Sequence, residues 1–319
     1  MSGRDAATLE IVAGAYDATS APTIGGRLIE GLERESTYLW GLFRSRADDP
    51  DIYQSMRRLS SAPSWPKRLL LQSNVGSAGL GRHRCERMAA RTLDVVSRAV
   101  ASNMVFRAEP IDGAEPFGLA VAGHDVRWTE GAILDVAGRE VMPGLQWGLV
   151  RSDGGDGMRY ASRIFLVEGV VDGVPVDGFV GVDEVHLAPG RENYVDDPLT
   201  ASHLSHVWCT WATAYDDGTV EAGHVSFGRD GFGFGLRAGD GVAHVAEHVA
   251  GEVTTNDRGC PTHVAFELDG QPWEFVADPR GLPVVPLPGP VRQAEGWFRR
   301  VGETRRPLVW CATPEVPAS

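Results

Sequence analysis

The sequence predicts a mainly β protein built from two antiparallel β-barrel or β-sandwich units, preceded by an α-helical N-terminal arm. Three observations point there. Asp-Gly dipeptides recur from residue 112 onward, at 112–113, 153–154, 156–157, 172–173, 177–178, 217–218, 230–231, 240–241 and 269–270. Asp-Gly tolerates the positive φ of a type I′ turn, whose twist matches paired antiparallel strands. Between these turns the runs are short and rich in Val, Phe, Tyr, Trp and Thr. Before about residue 65 the pattern differs and no such turns occur.

The elements follow in chain order. Ile24 to Phe43 carries Leu28, Ile29, Leu32, Leu39 and Leu42 at roughly helical spacing, and Asp51 to Leu59 suggests a second short helix behind Pro50. Pro63 and Pro66 break any helix there. The arm is therefore expected over residues 1–65. Strands are expected at Leu145–Arg151, Tyr160–Val171, Val207–Tyr215, Val220–Phe227 and His263–Leu268. No helix-length segment separates them, which disfavours βαβ units. The polar stretch Pro189 to His203 divides a first unit, residues 66–190, from a second, residues 204–319. Leu282 to Pro290 holds four prolines and reads as an extended connection. Gly296 to Cys311 reads as a closing hairpin around Gly302. The alternation Phe227-Gly228-Arg229-Asp230-Gly231-Phe232-Gly233-Phe234-Gly235 suits a curved hairpin, and without GK[ST] or a strand-to-helix junction it is no nucleotide loop.

Composition narrows the function. At 319 residues the chain can bury a substantial core. A net charge of −13 repels phosphate backbones and anionic lipid surfaces, so no nucleic-acid partner is expected. The first hundred residues are nevertheless net +3, with Arg82, Arg84, Arg87 and Arg91 closely spaced between Lys67 and Arg98. That run is an anion site or a solvated face. No stretch is long and apolar enough to span a bilayer. The first twenty residues contain Asp5, Glu10 and Asp17 and no apolar core of a secretory signal, so a cytoplasmic location is expected. Cys85, Cys209, Cys260 and Cys311 lie far apart with no CxxC, which suits small buried hydrophobes in a reducing compartment.

One set of motifs resembles a known family. Val167-Glu168-Gly169-Val170-Val171-Asp172-Gly173 is followed by Val176-Asp177-Gly178. Later come Val207-Trp208-Cys209-Thr210-Trp211, Asp217-Gly218, Gly259-Cys260-Pro261 and Asp269-Gly270. Together they are similar to the two-domain lipocalin-like family that contains the hydroxyneurosporene synthases, which are carotenoid hydratases. The family's polar motif at the mouth of its first barrel falls at Gly181-Val182-Asp183-Glu184-Val185-His186. This chain keeps the acid and the imidazole there and lacks the Arg, Trp and Gly.

The candidate catalytic residues are Glu184, Asp183 and His186. On a strand Glu184 and His186 share one face and Asp183 takes the other. A carboxyl facing an apolar interior is held neutral and can protonate a double bond, as hydration, cyclisation or isomerisation of an alkene requires. The plainer alternative is a solvated strand end. Among nine tryptophans, Trp208, Trp211 and Trp147 are the candidate ligand-binding residues, Trp208 at the family's pocket-lining position. Aromatic faces suit a polyene and can steady a carbocation; as an alternative they are core.

Metal binding finds little support. His203 and His206, with His186, lack a coherent ligand spacing. His244-Val245-Ala246-Glu247-His248 matches H-x-x-E-H, but that chemistry needs a helix. Read as a strand, Val245, Val249 and Val253 face inward. No metal and no cofactor are expected, and no G-x-S-x-G elbow is present. The expected partner is a hydrophobic small molecule: isoprenoid, steroid or polyketide-like. The residues leave open whether the chain is a cofactor-independent hydratase, cyclase or isomerase, a non-catalytic carrier or sensor, or a scaffold with a filled core.

Overall fold

The computed structural model describes residues 9–16, 23–24, 27–28, 31–60, 69–82, 96–100, 103–108, 116–141, 143–151, 157–193, 205–229, 231–239, 242–246, 248–285 and 291–318. The strands before residue 188 are β1 (Leu9–Tyr16), β2 (Thr23–Ile24), β3 (Arg27–Leu28), β4 (Glu33–Ser45), β5 (Ile52–Ser60), β6 (Leu69–Ser73), β7 (Gly81–Arg82), β8 (Val96–Val100), β9 (Asn103–Ala108), β10 (Phe117–Ala122), β11 (Asp125–Glu130), β12 (Leu134–Glu140), β13 (Gly144–Arg151), β14 (Met158–Val171) and β15 (Val174–Leu187). After residue 204 come β16 (Ser205–Tyr215), β17 (Val220–Gly228), β18 (Gly233–Gly239), β19 (Val242–Ala246), β20 (Val249–Thr255), β21 (Pro261–Leu268), β22 (Gln271–Ala277), β23 (Val291–Gln293), β24 (Gly296–Arg300) and β25 (Pro307–Pro317).

All of these pair antiparallel. The N-terminal half forms a 13-stranded sheet in the order β7-β6-β5-β4-β15-β14-β12-β11-β10-β9-β8, with β13 joined to β14 and β1 to β13. The sheet curls into a half-barrel: Leu39 and Tyr53 from β4 and β5 pack in one core with Phe117 and Trp128 from β10 and β11. Arg57 and Glu130 meet across that core in a buried, two-bond ion pair. The C-terminal half is a sandwich of a six-stranded sheet, β19-β18-β17-β16-β25-β23, and a four-stranded sheet, β20-β21-β22-β24. Trp211, Phe266, Phe275 and Phe298 fill the space between its layers.

Local turn chemistry sets two registers directly. Val171 pairs with Val174 around Asp172-Gly173, and Leu268 with Gln271 around Asp269-Gly270. All four turn residues have positive φ, between +49° and +80°, as a type I′ turn demands. Asp217-Gly218 turns the chain between β16 and β17. Asp177-Gly178, by contrast, lies inside β15 opposite Arg44 and Phe43, so that dipeptide is no turn. Dipeptides 112–113, 153–154 and 240–241 lie outside the described residues.

Among the described residues the expected α-helical arm is absent. Residues 33–45 and 52–60 are strands, and among the described residues the one helical element is the 3₁₀ turn Pro279–Gly281. The helical spacing misleads because β4 is a central strand buried on both faces. Leu39 and Phe43 enter the first core while Leu42 faces the other way, so no clean period of two survives in its sequence. In β5 the buried polar residues Gln54 and Arg57 imitate the charged face of a helix. No helix among the described residues is long and apolar enough to cross a membrane.

The closing hairpin around Gly302 is also corrected. The chain turns there (φ +86°), but β24 pairs with β22 and β25 with β16. It crosses between layers because Phe298 and Val316 enter the same core from opposite sheets. Phe227 to Gly235 does form a hairpin. His244-Val245-Ala246 lies on a strand rather than a helix, with Ala246 turned inward and Val245 out in solvent. After Pro279–Gly281 the chain is tied to the N-terminal half, where Leu80 N donates to Leu282 O and Val284 N to Leu80 O; residues 286–290 of the expected extended connection lie outside the described residues.

The two halves share a third core. Trp147, Tyr160, Ile164 and Phe179 of the large sheet pack with Ala212, Ala222, Phe234 and Leu236 of the six-stranded sheet.

Candidate active site

Alternation along β15 decides which side chains reach this junction. Val180 and Val182 enter the first core, and Phe179 and Val185 face the C-terminal half. Asp183 belongs to the second set. It is 2% exposed. Ser162, directly opposite on β14, donates to its Oδ1 at 2.5 Å. Tyr160 donates to Oδ2 at 2.5 Å and Trp40 Nε1 donates to the same oxygen at 2.7 Å. Gly181 makes the Trp40 bond possible: a Cβ there would stand 2.0 Å from the indole. Burial pushes the Asp183 carboxyl up to about 6, against the opposing pull of its three donors.

An aromatic wall adjoins this carboxyl through Tyr160. Its ring lies 5.6 Å from Trp147, nearly parallel, and edge-on to Trp208 and His224 at 5.2 and 5.7 Å. Trp208 stacks on His224 at 5.3 Å, and Phe234 closes on Trp147 at 4.8 Å. His224 is fully buried, and desolvation holds its imidazole neutral, down to about 3. Its Nδ1 shares a 3.0 Å hydrogen bond with Thr210. Its Nε2, like Trp147 Nε1, is buried and has no hydrogen-bond partner among the described residues. Buried polar atoms are usually satisfied, so two orphans in one aromatic cluster call for a partner such as a water or a ligand atom.

Two more carboxyls adjoin the same junction, one placed by strand register and one by its hydrogen bonds. Glu315 stands opposite Trp208 on β25. Burial pushes it up to about 7 despite a hydrogen bond from Gln293, and Asp183 adds to the rise. Glu295 accepts from Gln54 Nε2 at 2.5 Å and from Thr313 at 2.9 Å, and burial pushes it up to about 8. Trp40, Trp208, Thr313 and Glu315 keep partial exposure.

The sequence candidates separate. Glu184 sits on the opposite face from Asp183, where Tyr16 and Arg34 donate to it at 3.2 Å each. His186 lies near it, lowered to about 4 mainly by desolvation, with Glu184 opposing and Arg159 and Arg34 adding to the fall. Trp147 and Trp208 meet at 5.5 Å. Trp211 is elsewhere, inside the C-terminal sandwich, stacked on Phe298 at 4.9 Å. His206, His244 and His248 are exposed; His203, Glu247 and most of the 67–98 basic run lie outside the described residues. Among the described residues no cluster of three or more His, Cys, Asp or Glu could hold a metal. Cys209, Cys260 and Cys311 are buried free thiols.

Sequence reasoning missed Tyr160, Ser162, Trp40, His224, Phe234 and Glu315. Tyr160 and Ser162 carried a signal, two hydroxyls at period two in Met158–Val171. Trp40 carried none, since it reaches Asp183 from 143 residues away.

No protein-family model matches the chain, and no curated protein matches it. Two solved structures follow its course over nearly the whole length. One is a protein of Nitrosomonas europaea provisionally named AttH, 13% identical, covering 94% of this chain and 100% of its own, with a TM-score of 0.47. The other is kievitone hydratase of Nectria haematococca, 7% identical, covering 96% and 98%, with a TM-score of 0.46. Similarity at that level carries no residue and no activity from them to this chain.

Proposed function

We propose that the junction binds an apolar, unsaturated small molecule and moves a proton on it, with Asp183 as the acid and Tyr160 as the group that delivers it. The observation that carries this reading is the Asp183–Tyr160 hydrogen bond set against the aromatic wall of Trp147, Trp208 and Phe234. A carboxyl near 6 holds and releases its proton close to neutrality, where general acids work best.

The step balances simply. With Asp183 protonated the bond between them reverses, Asp183 donating to Tyr160; Tyr160 then gives its hydroxyl proton to one carbon of a double bond and takes the Asp183 proton in return. The other carbon becomes a cation, which the π faces of Trp208 and Trp147 stabilise. Water then adds and loses a proton, giving hydration, or a neighbouring carbon loses one, giving isomerisation. Asp183 recovers its proton either way. His224 Nε2, buried and unpartnered among the described residues in a ring packed on Trp208 and Tyr160, is a neutral polar atom suited to a ligand oxygen or a water. Glu184 and His186 stand outside the path in this reading. A carrier needs apolar walls and one polar anchor; a desolvated carboxyl supported by three donors is better suited to chemistry.

The test is deuterium uptake from heavy water, or gain of water, by apolar polyenes incubated with the protein. Asp183→Asn and Tyr160→Phe should each lower the rate by roughly 10²–10⁴-fold while the polyene still quenches tryptophan fluorescence. Turnover undiminished in both variants would move the acid elsewhere.

A further inference from the structure

A largely buried arginine at the same junction is left without a hydrogen-bonded counter-ion among the described residues. Arg44 lies on β4, four residues beyond Trp40 and therefore on the same face of the strand. Its guanidinium carbon sits 3.2 Å from the ring centroid of Trp310, on β25 of the other half. Its Nε and Nη2 are buried and have no hydrogen-bond partner among the described residues.

The nearby carboxylates are committed elsewhere. Asp278 comes no closer than 3.7 Å to Nη2. It accepts instead from Arg280 through the backbone N, Nε and Nη2, at 2.9 to 3.1 Å. Glu295 is occupied by Gln54 and Thr313, and burial keeps it largely protonated at neutral pH. Burial likewise lowers the Arg44 guanidinium to about 9, with Asp278 opposing that fall. With Asp278 no nearer than 3.7 Å and no hydrogen bond to Nε or Nη2 among the described residues, this guanidinium is incompletely compensated, which is costly. The Nε and Nη2 hydrogens form the planar two-pronged edge that fits a carboxylate bidentately.

We propose that this edge of Arg44, held flat on Trp310, receives the carboxylate of the ligand, so that the ligand is an elongated unsaturated carboxylic acid. The inference rests on the reading of the junction given above. A monoanion suits the site better than a phosphate, because the Asp278 carboxylate already stands 3.7 Å from Nη2. Four residues of strand separate Arg44 from Trp40, about 13 Å at 3.3 Å per residue. An acid anchored at Arg44 would place unsaturation well along its chain beside Tyr160 and Asp183.

The experiment compares the fluorescent polyene parinaric acid with its methyl ester on the full chain, read by polyene emission and tryptophan quenching. The acid should bind at least about tenfold more tightly than the ester, the worth of a charge-assisted bidentate contact. Arg44→Gln should bring the acid down to the ester and leave the ester unchanged; Arg44→Lys should fall between. Equal binding of acid and ester by the parent protein overturns the head-group assignment alone, as does an acid preference that survives in a folded Arg44→Gln. Failure of both probes to bind overturns the apolar-site reading itself. The parent comparison decides the matter even if the Arg44 variants do not fold.

Discussion

Asp183 and Glu184 show how much one residue of phase matters. They are chain neighbours with the same chemistry, yet one is sealed among Trp40, Tyr160 and Ser162 and the other is paired with Arg34 and Tyr16. Strand alternation was legible in the sequence; which face would meet the C-terminal half was not, because the partners lie on other strands. The junction carboxyls also make a prediction at this scale. Asp183, Glu315 and Glu295 are all raised by burial, to about 6, 7 and 8. The folded state then binds protons that the unfolded state has released. Their stabilising contribution is complete below the ordinary carboxylate range and is lost as pH rises through these folded values. Stability should therefore fall between about pH 4.5 and pH 8 on their account. Glu295→Gln removes the highest of the three, so urea melts should show the variant gaining on the parent at pH 8 relative to pH 5. Parallel pH profiles for the two proteins would sink this assignment.

Two glycines of the β14–β15 hairpin separate local from tertiary demands. Gly173 has φ +80° and open space where a Cβ would go. Its Asp-Gly signal is local, and the turn it predicts is there. Gly181 has ordinary backbone, and a side chain would strike Trp40 at 2.0 Å. Nothing in the sequence marks it, because Trp40 arrives from β4. Gly173→Ala should cost about 1–2 kcal/mol through the left-handed backbone alone, and Gly173→Asn much less. Gly181→Ala should cost about 1–3 kcal/mol by overpacking, with no relief from Asn, and should also perturb Trp40 fluorescence by displacing its indole from Asp183. Thermal and urea melts of the four variants check the order. The misread elements have the same origin. Strands β4 and β5 look helical because both faces of one are buried and the other turns Arg57 inward toward Glu130.

At the scale of the whole molecule, the third core ties the halves together. Its buried members come from both sides of residues 189–204, and Trp147, Trp208 and Phe234 meet there directly. The backbone hydrogen bonds of Leu80 N to Leu282 O and of Val284 N to Leu80 O, with Arg280 bound to Asp49 and Pro50 O, extend the contact. The two halves are accordingly expected to unfold as one unit, although the sequence divides them at a polar linker. Phe234→Ala should cost about 3–5 kcal/mol and shift far-ultraviolet dichroism and tryptophan fluorescence together. Two separated transitions in the parent would show that the junction is weak. The sequence by itself determined the β class, the Asp-Gly turns at 172–173 and 269–270, and the strands that lead into those turns, near Tyr160–Val171 and His263–Leu268. These rest on φ preferences and side-chain alternation, which act over a few residues. Only the tertiary structure decided that residues 33–60 are strands, that β25 returns to β16, and that Asp183 rather than Glu184 meets the aromatic wall. Each of those depends on pairing between segments far apart in the chain, where burial on both faces erases the local periodicity from which a strand is read.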